Sequence, residues 1–170
     1  MTTKGFHQYT KNDMFDNLVK GTYHLVVADA LVGEWDDGRP KLDISTKVKS
    51  GQYADTFGPR HTWSLRDEDF HGVSKAGKEF VIEAEKEKAK FVVAVTDIMD
   101  GLEVVLTNPE SFDETMLKEV ARQIKGREFI ANVTIDDNGY ARMGRVYSMS
   151  APPKGFTTSE VASSFSIDEI

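Results

Sequence analysis

The sequence predicts a mainly β domain with some α: a five-stranded barrel with a helical insertion between strands three and four. Three observations carry this. Three stretches with apolar/polar alternation precede residue 67, a helical period takes over from 76 to 125, and two more alternating stretches follow, joined by Asn138-Gly139.

In the first strand, 21–34, Tyr23, Leu25, Val27 and Leu31 share one parity and His24, Val26, Ala28, Ala30 and Val32 the other. Both faces are apolar, as in a long curved barrel strand. Asp36-Asp37-Gly38 followed by Arg39-Pro40 marks a hairpin turn. Over 41–49, Leu42, Ile44, Thr46 and Val48 form the buried face, and Lys41, Asp43, Ser45, Lys47 and Lys49 a wet, mostly basic one. A loop carrying Tyr53 leads to a third strand, 56–66. Phe57, His61, Trp63 and Leu65 lie on one side of it and Arg60, Thr62, Ser64 and Arg66 on the other, with Pro59 marking an edge or bulge.

Over 76–99, Phe80, Ala84, Phe91, Val95 and Ile98 recur at helical spacing. A second helix, 112–125, has Ser111 as its expected cap, Glu114 three residues on, and Gly126 as its stop. Strands at 127–135 and 140–149 complete the pattern. The chain therefore divides into an N-terminal arm (1–20), with a short helix expected over 12–19, a barrel domain (21–153), and a flexible acidic tail (154–170) after Pro152-Pro153. Strand–strand–strand–helix–strand–strand is the order of an oligonucleotide-binding (OB) barrel.

The net charge of −7 argues against a nucleic-acid partner, but the charge is uneven. Residues 67–100 hold nine acids against five basic residues, and the tail from Phe156 holds Glu160, Asp168 and Glu169 with no Lys or Arg. The strand regions are balanced, and local potential decides what a groove attracts. No apolar run is long enough to span a membrane, and the first twenty residues lack a signal-peptide core. With no cysteine there are no disulfides or thiolate metal sites, which fits a cytoplasmic protein.

Catalytic signals are weak. Gly72-Val73-Ser74-Lys75-Ala76-Gly77-Lys78 imitates a phosphate loop, but Glu79 stands where a Ser or Thr would hold magnesium, so it reads as a loop at a helix start. The four histidines lack metal-ligand spacing. Asp36-Asp37 and Asp136-Asp137 sit in turns, where Asp serves backbone geometry. No catalytic residue, cofactor or metal is expected.

Single strands are held by aromatics that stack on bases and cations that track phosphates, without fixed spacing. The candidates are Lys41, Lys47, Lys49, Tyr53, Arg60, Trp63 and Arg66 in the first half and Arg142, Arg145 and Tyr147 in the last strand. Trp63 and Tyr147 equally suit a core.

The chain resembles the single-stranded-DNA-binding proteins of tailed bacteriophages over about 21–156. The resemblance rests on Gly21-Thr22-Tyr23, the 41–49 strand and the aromatic third strand. Gly126-Arg127-Glu128-Phe129, Asp137-Asn138-Gly139-Tyr140 and Ala151-Pro152-Pro153 add to it. It implies an OB fold and non-enzymatic, sequence-tolerant single-stranded DNA binding in phage replication, recombination or repair, in the host cytoplasm. It also implies an acidic tail that recruits replication or recombination proteins or competes with DNA. Oligomeric state is left open, a homodimer included. Two other readings compete: an OB-like protein-interaction module for a replication or transcription partner, and a small metal-dependent nuclease.

Overall fold

The computed structural model describes residues 5–8 and 18–156. The helix expected over 12–19 and the tail from residue 157 lie essentially outside them. Seven strands and two helices follow in order: β1 (Gly21–Glu34), β2 (Pro40–Val48), β3 (His61–Ser64), β4 (Phe70–Val73), β5 (Glu79–Ile82), α1 (Ala84–Ile98), α2 (Glu114–Ile124), β6 (Glu128–Ile135) and β7 (Ala141–Tyr147). Five strands form one antiparallel, barrel-like, nearly closed sheet in the order β3-β2-β1-β6-β7. β4 and β5 make a separate hairpin.

β1 is central, and its parity changes midway. The pairing with β2 steps from Val27↔Thr46 to Asp29↔Ser45, leaving Ala28 as an extra residue. One extra residue turns every later side chain over. Leu25 and Val27 point inward before the bulge and Ala30 and Val32 after it, and Leu31 is therefore exposed. The sequence parity that grouped Leu31 with Leu25 and Val27 is corrected by this bulge.

β2 keeps its alternation throughout: Leu42, Ile44, Thr46 and Val48 are buried. The third strand is shorter than the expected 56–66. Gly58-Pro59 interrupts it, and only Phe57 bridges back, to Lys47. The interruption is locked from below. Gly58 N donates to Thr46 O at 2.9 Å, and buried Thr46 Oγ1 donates to Pro59 O at 2.7 Å. A Cβ at Gly58 would overlap that hydroxyl. β3 lies at the sheet edge, where a preceding Pro without an N–H is tolerated.

The helix expected over 76–99 begins later. Residues 79–82 are strand β5, so Phe80 belongs to a hairpin, and the phosphate-loop look-alike is that hairpin's turn rather than a helix-start loop. α1 starts after it, its first turn held by Asp69, whose carboxylate accepts from Ala84 N at 2.9 Å. α2 is capped by Asp113, accepting from Met116 N at 2.9 Å, rather than by Ser111. Ser111 is engaged with Asn108, which donates to its hydroxyl at 2.9 Å.

The three hairpins of the described chain turn alike. Gly38, Gly77 and Gly139 have φ of 85°, 80° and 84°. Each donates its N–H to the residue three back, at 2.8–2.9 Å. These are three-residue loops closed by a left-handed glycine, and the Asp37-Gly38 and Asn138-Gly139 pairs mark two of them.

The core fills the sheet's inner face. Leu25, Val27, Leu42, Ile44 and Phe129 meet Phe91, Val95 and Ile98 of α1 and Leu117, Val120 and Ile124 of α2. α2 packs on β1 and β2, and α1 on β7 and β6. Trp63 and Leu65 join from the β3 side.

Replacing Thr46 with Val keeps the shape but leaves Pro59 O without its donor. The expected loss is about 1–3 kcal/mol in denaturant unfolding, and an unchanged midpoint would contradict the lock. His61, edge-on to Trp63 at 4.7 Å, has its pKa pushed below the usual histidine value by burial. The native state therefore holds fewer protons there than the unfolded chain. Its stabilisation is complete above the unfolded pKa of about 6.5 and fades as pH falls from there toward the native value. The stability difference between wild type and His61→Gln should shrink from pH 7.5 to 5.5 on this account; parallel curves would contradict it.

Candidate nucleic-acid interface

The outer face of β2 carries Lys41, Asp43, Ser45 and Lys47, opposite the buried residues. At one end stands Trp35, just past the end of β1. Its Nε1 donates to Ser64 Oγ at 2.8 Å, laying the indole across to the β3 edge. The Lys41 ammonium sits 4.3 Å from the ring centroid, and the Arg39 guanidinium 6.0 Å. The indole remains 39% exposed. At the other end the Lys47 ammonium lies 5.4 Å from the ring of Phe57, which is 62% exposed. The Thr46–Pro59 lock holds that phenyl beside the strand. Six residue steps along the strand separate the two lysines, roughly 20 Å. Each end of the face thus presents an accessible aromatic ring with a cation against it, a contact worth about 0.5–1 kcal/mol at exposed sites.

Between them Asp43 is occupied. Its carboxylate accepts from the Thr62 hydroxyl, and one oxygen lies 3.9 Å from Lys41 Nζ. The next strand over carries His24, whose Nδ1 is 2.9 Å from Ser50 Oγ and whose Nε2 is 2.8 Å from Glu128 Oε1. This ties the β2–β3 loop to β6 across β1 and fixes the direction of the Glu128 carboxylate.

The remaining residues expected at the site divide. Lys49 lies past the end of β2, exposed, its backbone N–H donating to His24 O at 2.8 Å. Arg60 is exposed just before β3. Tyr53 is half-buried, edge-on to Tyr23 at 6.0 Å, and packs on the core. Burial, and secondarily Tyr53 itself, push the Tyr23 phenol up. Trp63 is 8% exposed and edge-on to Phe91 at 5.7 Å. Its inward parity makes it a core residue with no free ring face, which corrects its place among the stacking candidates.

Arg66 leaves β3 and covers Phe70 at 4.7 Å. Arg142 Nε is paired with Asp136 at 2.9 Å. The Asp136 carboxyl is held below the usual range, chiefly by the Tyr140 backbone N–H, with Arg142 adding to it. Arg145 lies 4.9 Å from the ring centroid of half-buried Tyr147. These β7 residues are three strand positions from β2, roughly 14 Å across the sheet. The two basic–aromatic groups are therefore separate patches rather than one row.

Two aromatics were missed by parity alone. Trp35 directly precedes the Asp36-Asp37-Gly38 turn, and Phe57 shares its sequence parity with buried Trp63. The available signals were an aromatic directly preceding Asp-Asp-Gly, and Gly58-Pro59, which resets the parity after Phe57.

Among the described residues no group of three or more His, Asp or Glu is arranged to hold a metal ion, and no helix is long and apolar enough to cross a membrane. No protein-family model matches the chain, and no curated protein matches it.

Truncating Trp63 to Ala should cost about 3–5 kcal/mol of stability, whereas Trp35→Ala should cost far less. Equal losses in thermal or denaturant unfolding would show that Trp35 too is a structural residue.

Proposed function

We propose that this protein is a sequence-tolerant single-stranded DNA-binding protein of the OB class, acting without catalysis in phage DNA replication, recombination or repair. The observation that carries this is the outer face of β2, with Trp35 against Lys41 at one end and Phe57 against Lys47 at the other. Every base has a π face, so exposed rings bind single strands without reading sequence, and adjacent lysines neutralise the phosphates between stacked bases. The strand order β3-β2-β1-β6-β7 supports the reading, because it is compatible with a five-stranded OB barrel whose β2–β3 face binds oligonucleotides. Duplex DNA hides its base faces, so the site favours single strands. The patch at Arg145 and Tyr147 is a second contact that a longer strand reaches around the barrel. Lys49 and Arg60 supply further phosphate contacts at the β2–β3 loop.

The net charge of −7 is compatible with this role because the acids concentrate elsewhere. On the β2 face Asp43 is hydrogen-bonded by Thr62, and the acids of 67–100 lie on the hairpin approach and α1.

Titration with dT oligomers should quench intrinsic fluorescence, and Trp35→Phe should abolish the quench, because Trp63 is shielded. Trp35→Ala and Phe57→Ala should each weaken binding by about 1–3 kcal/mol. Lys41→Ala and Lys47→Ala should each reduce the salt slope of log K by about 0.7. Equal affinity for duplex and single strand, or a quench that survives in Trp35→Phe, would overturn this reading.

A further inference from the structure

The β4–β5 hairpin has no role in the proposed interface, and its surface is anomalous. Neither of its strands pairs with the five-stranded sheet. An isolated two-stranded hairpin is marginal in water, yet this one carries exposed apolar side chains on each face. Phe70, Phe80 and Ile82 lie on one face, the two rings 6.1 Å apart over Gly72, where a Cβ would overlap both. Val73 and Val81 lie on the other, beside His71 and Glu79. Phe70, Val73, Phe80 and Val81 are between 41% and 65% exposed. Such a surface, with an unpaired edge on each strand, is a template for another chain.

Charge selects the occupant. The tip carries Lys75 and Lys78 and the base Asp67 and Glu68, all four exposed and none in an ion pair with a described residue. From Arg66 to Ile82 three Lys or Arg face four acids, Asp67, Glu68, Asp69 and Glu79, so the hairpin as a whole does not attract a polyanion. It is instead a dipolar rod: Lys75 and Lys78 outweigh Glu79 at the tip, and Asp67, Glu68 and Asp69 outweigh Arg66 at the base. A second copy of the rod, laid antiparallel by a twofold axis, places each lysine tip against the other's acidic base. Parallel placement sets tip against tip and is repelled.

We propose that the β4–β5 hairpin is a self-association surface. Two copies of the chain pair antiparallel, burying Phe70 and Phe80 against their twofold mates, with Lys75 and Lys78 of each facing Asp67 and Glu68 of the other. A closed twofold contact of this kind is isologous. One short hairpin per partner offers a small area, so the dimer is weak and concentration-dependent.

The test is sedimentation velocity on the full chain up to high micromolar concentration, in low salt, without DNA. Wild type should show a monomer–dimer equilibrium. Phe80→Glu should raise the dissociation constant at least about tenfold, or 1.4 kcal/mol, with an unchanged melting temperature. Because that change sits within the hairpin, charge reversals in solvent provide the independent arm. A chain with Lys75→Glu and Lys78→Glu, and another with Asp67→Lys and Glu68→Lys, should each be monomeric alone. Their equimolar mixture should dimerise as wild type does, since only the mixed pair has both complementary contacts. A wild type that stays monomeric throughout overturns the proposal, as does a dimer indifferent to these variants. A monomer whose Phe80→Ala variant loses dT affinity overturns it too and assigns the hairpin to nucleic acid.

Discussion

The fold depends on one extra residue in β1. A fourteen-residue strand with strict alternation would present one face throughout, but β1 must serve β6 with its first half and the β1–β2 hairpin with its second. The bulge at Ala28 lets Leu25 and Val27, then Ala30 and Val32, all reach the same core. It also coincides with the point where α2 hands over to β6. Val27 N donates to Arg127 O and Gly126 N to Val27 O, both at 2.9 Å, so the helix exit completes the hydrogen bonding of the bent strand. The left-handed turn at Gly126, φ 84°, makes that handover sharp enough. Bulge, helix exit and strand start form one joint, from which both halves of the sheet diverge.

A second joint closes the other side of the domain. Asp100 adopts φ 55°, a conformation Asp tolerates better than most residues. Its carboxylate accepts from the hydroxyls of Ser148 and Ser150 and from Ser150 N. These bonds, the Ser148 hydroxyl foremost, hold its carboxyl below the usual range. The end of α1 is thereby tied to the exit of β7. Between α1 and α2, the segment carrying Val105 and Thr107 lies along α2. Gln123 bonds both Val105 backbone groups at 2.8 Å, and Glu119 accepts from Thr107 N at 3.0 Å. Side chains of a helix here bond exposed backbone that has no strand partner.

Much of this was legible in the residues, and where reading failed the cause is specific. β1, β2, β6 and β7 were placed to within a residue or two, because each alternates and each hairpin carries its turn signal. Leu31 was turned the wrong way because a bulge leaves no mark in a strand apolar on both faces. Residues 79–82 read as helix because Phe80, Ala84 and Phe91 fit a helical period. What makes them strand is pairing with Phe70–Val73, a contact set by the left-handed turn at Gly77 and invisible to periodicity. Ser111 fits a cap by residue type, but Asn108 engages its hydroxyl and the Asp113 carboxylate takes the capping bond instead. At the site the lysines of β2 were legible from parity, but their aromatic partners were not. Trp35 lies just past β1 and Phe57 just before β3, where parity no longer tells inside from outside.

That failure follows from what such a surface requires. A ring meant for the core is placed by strand alternation, which buries it, as happened to Trp63. A ring can also stay accessible at a break in a strand, and here both do so. Trp35 sits where β1 gives way to a turn, and Phe57 where Gly58 and Pro59 interrupt the third strand. Each is then held in place by something other than packing: Trp35 by its bond to Ser64, Phe57 by the Thr46 lock beneath its neighbours. The result is exposed aromatic surface carried on backbone that is already fixed. The lysines remain on the regular strand, where the pleat fixes their spacing. Irregular backbone supplies the apolar contacts of this face and regular backbone supplies its charge.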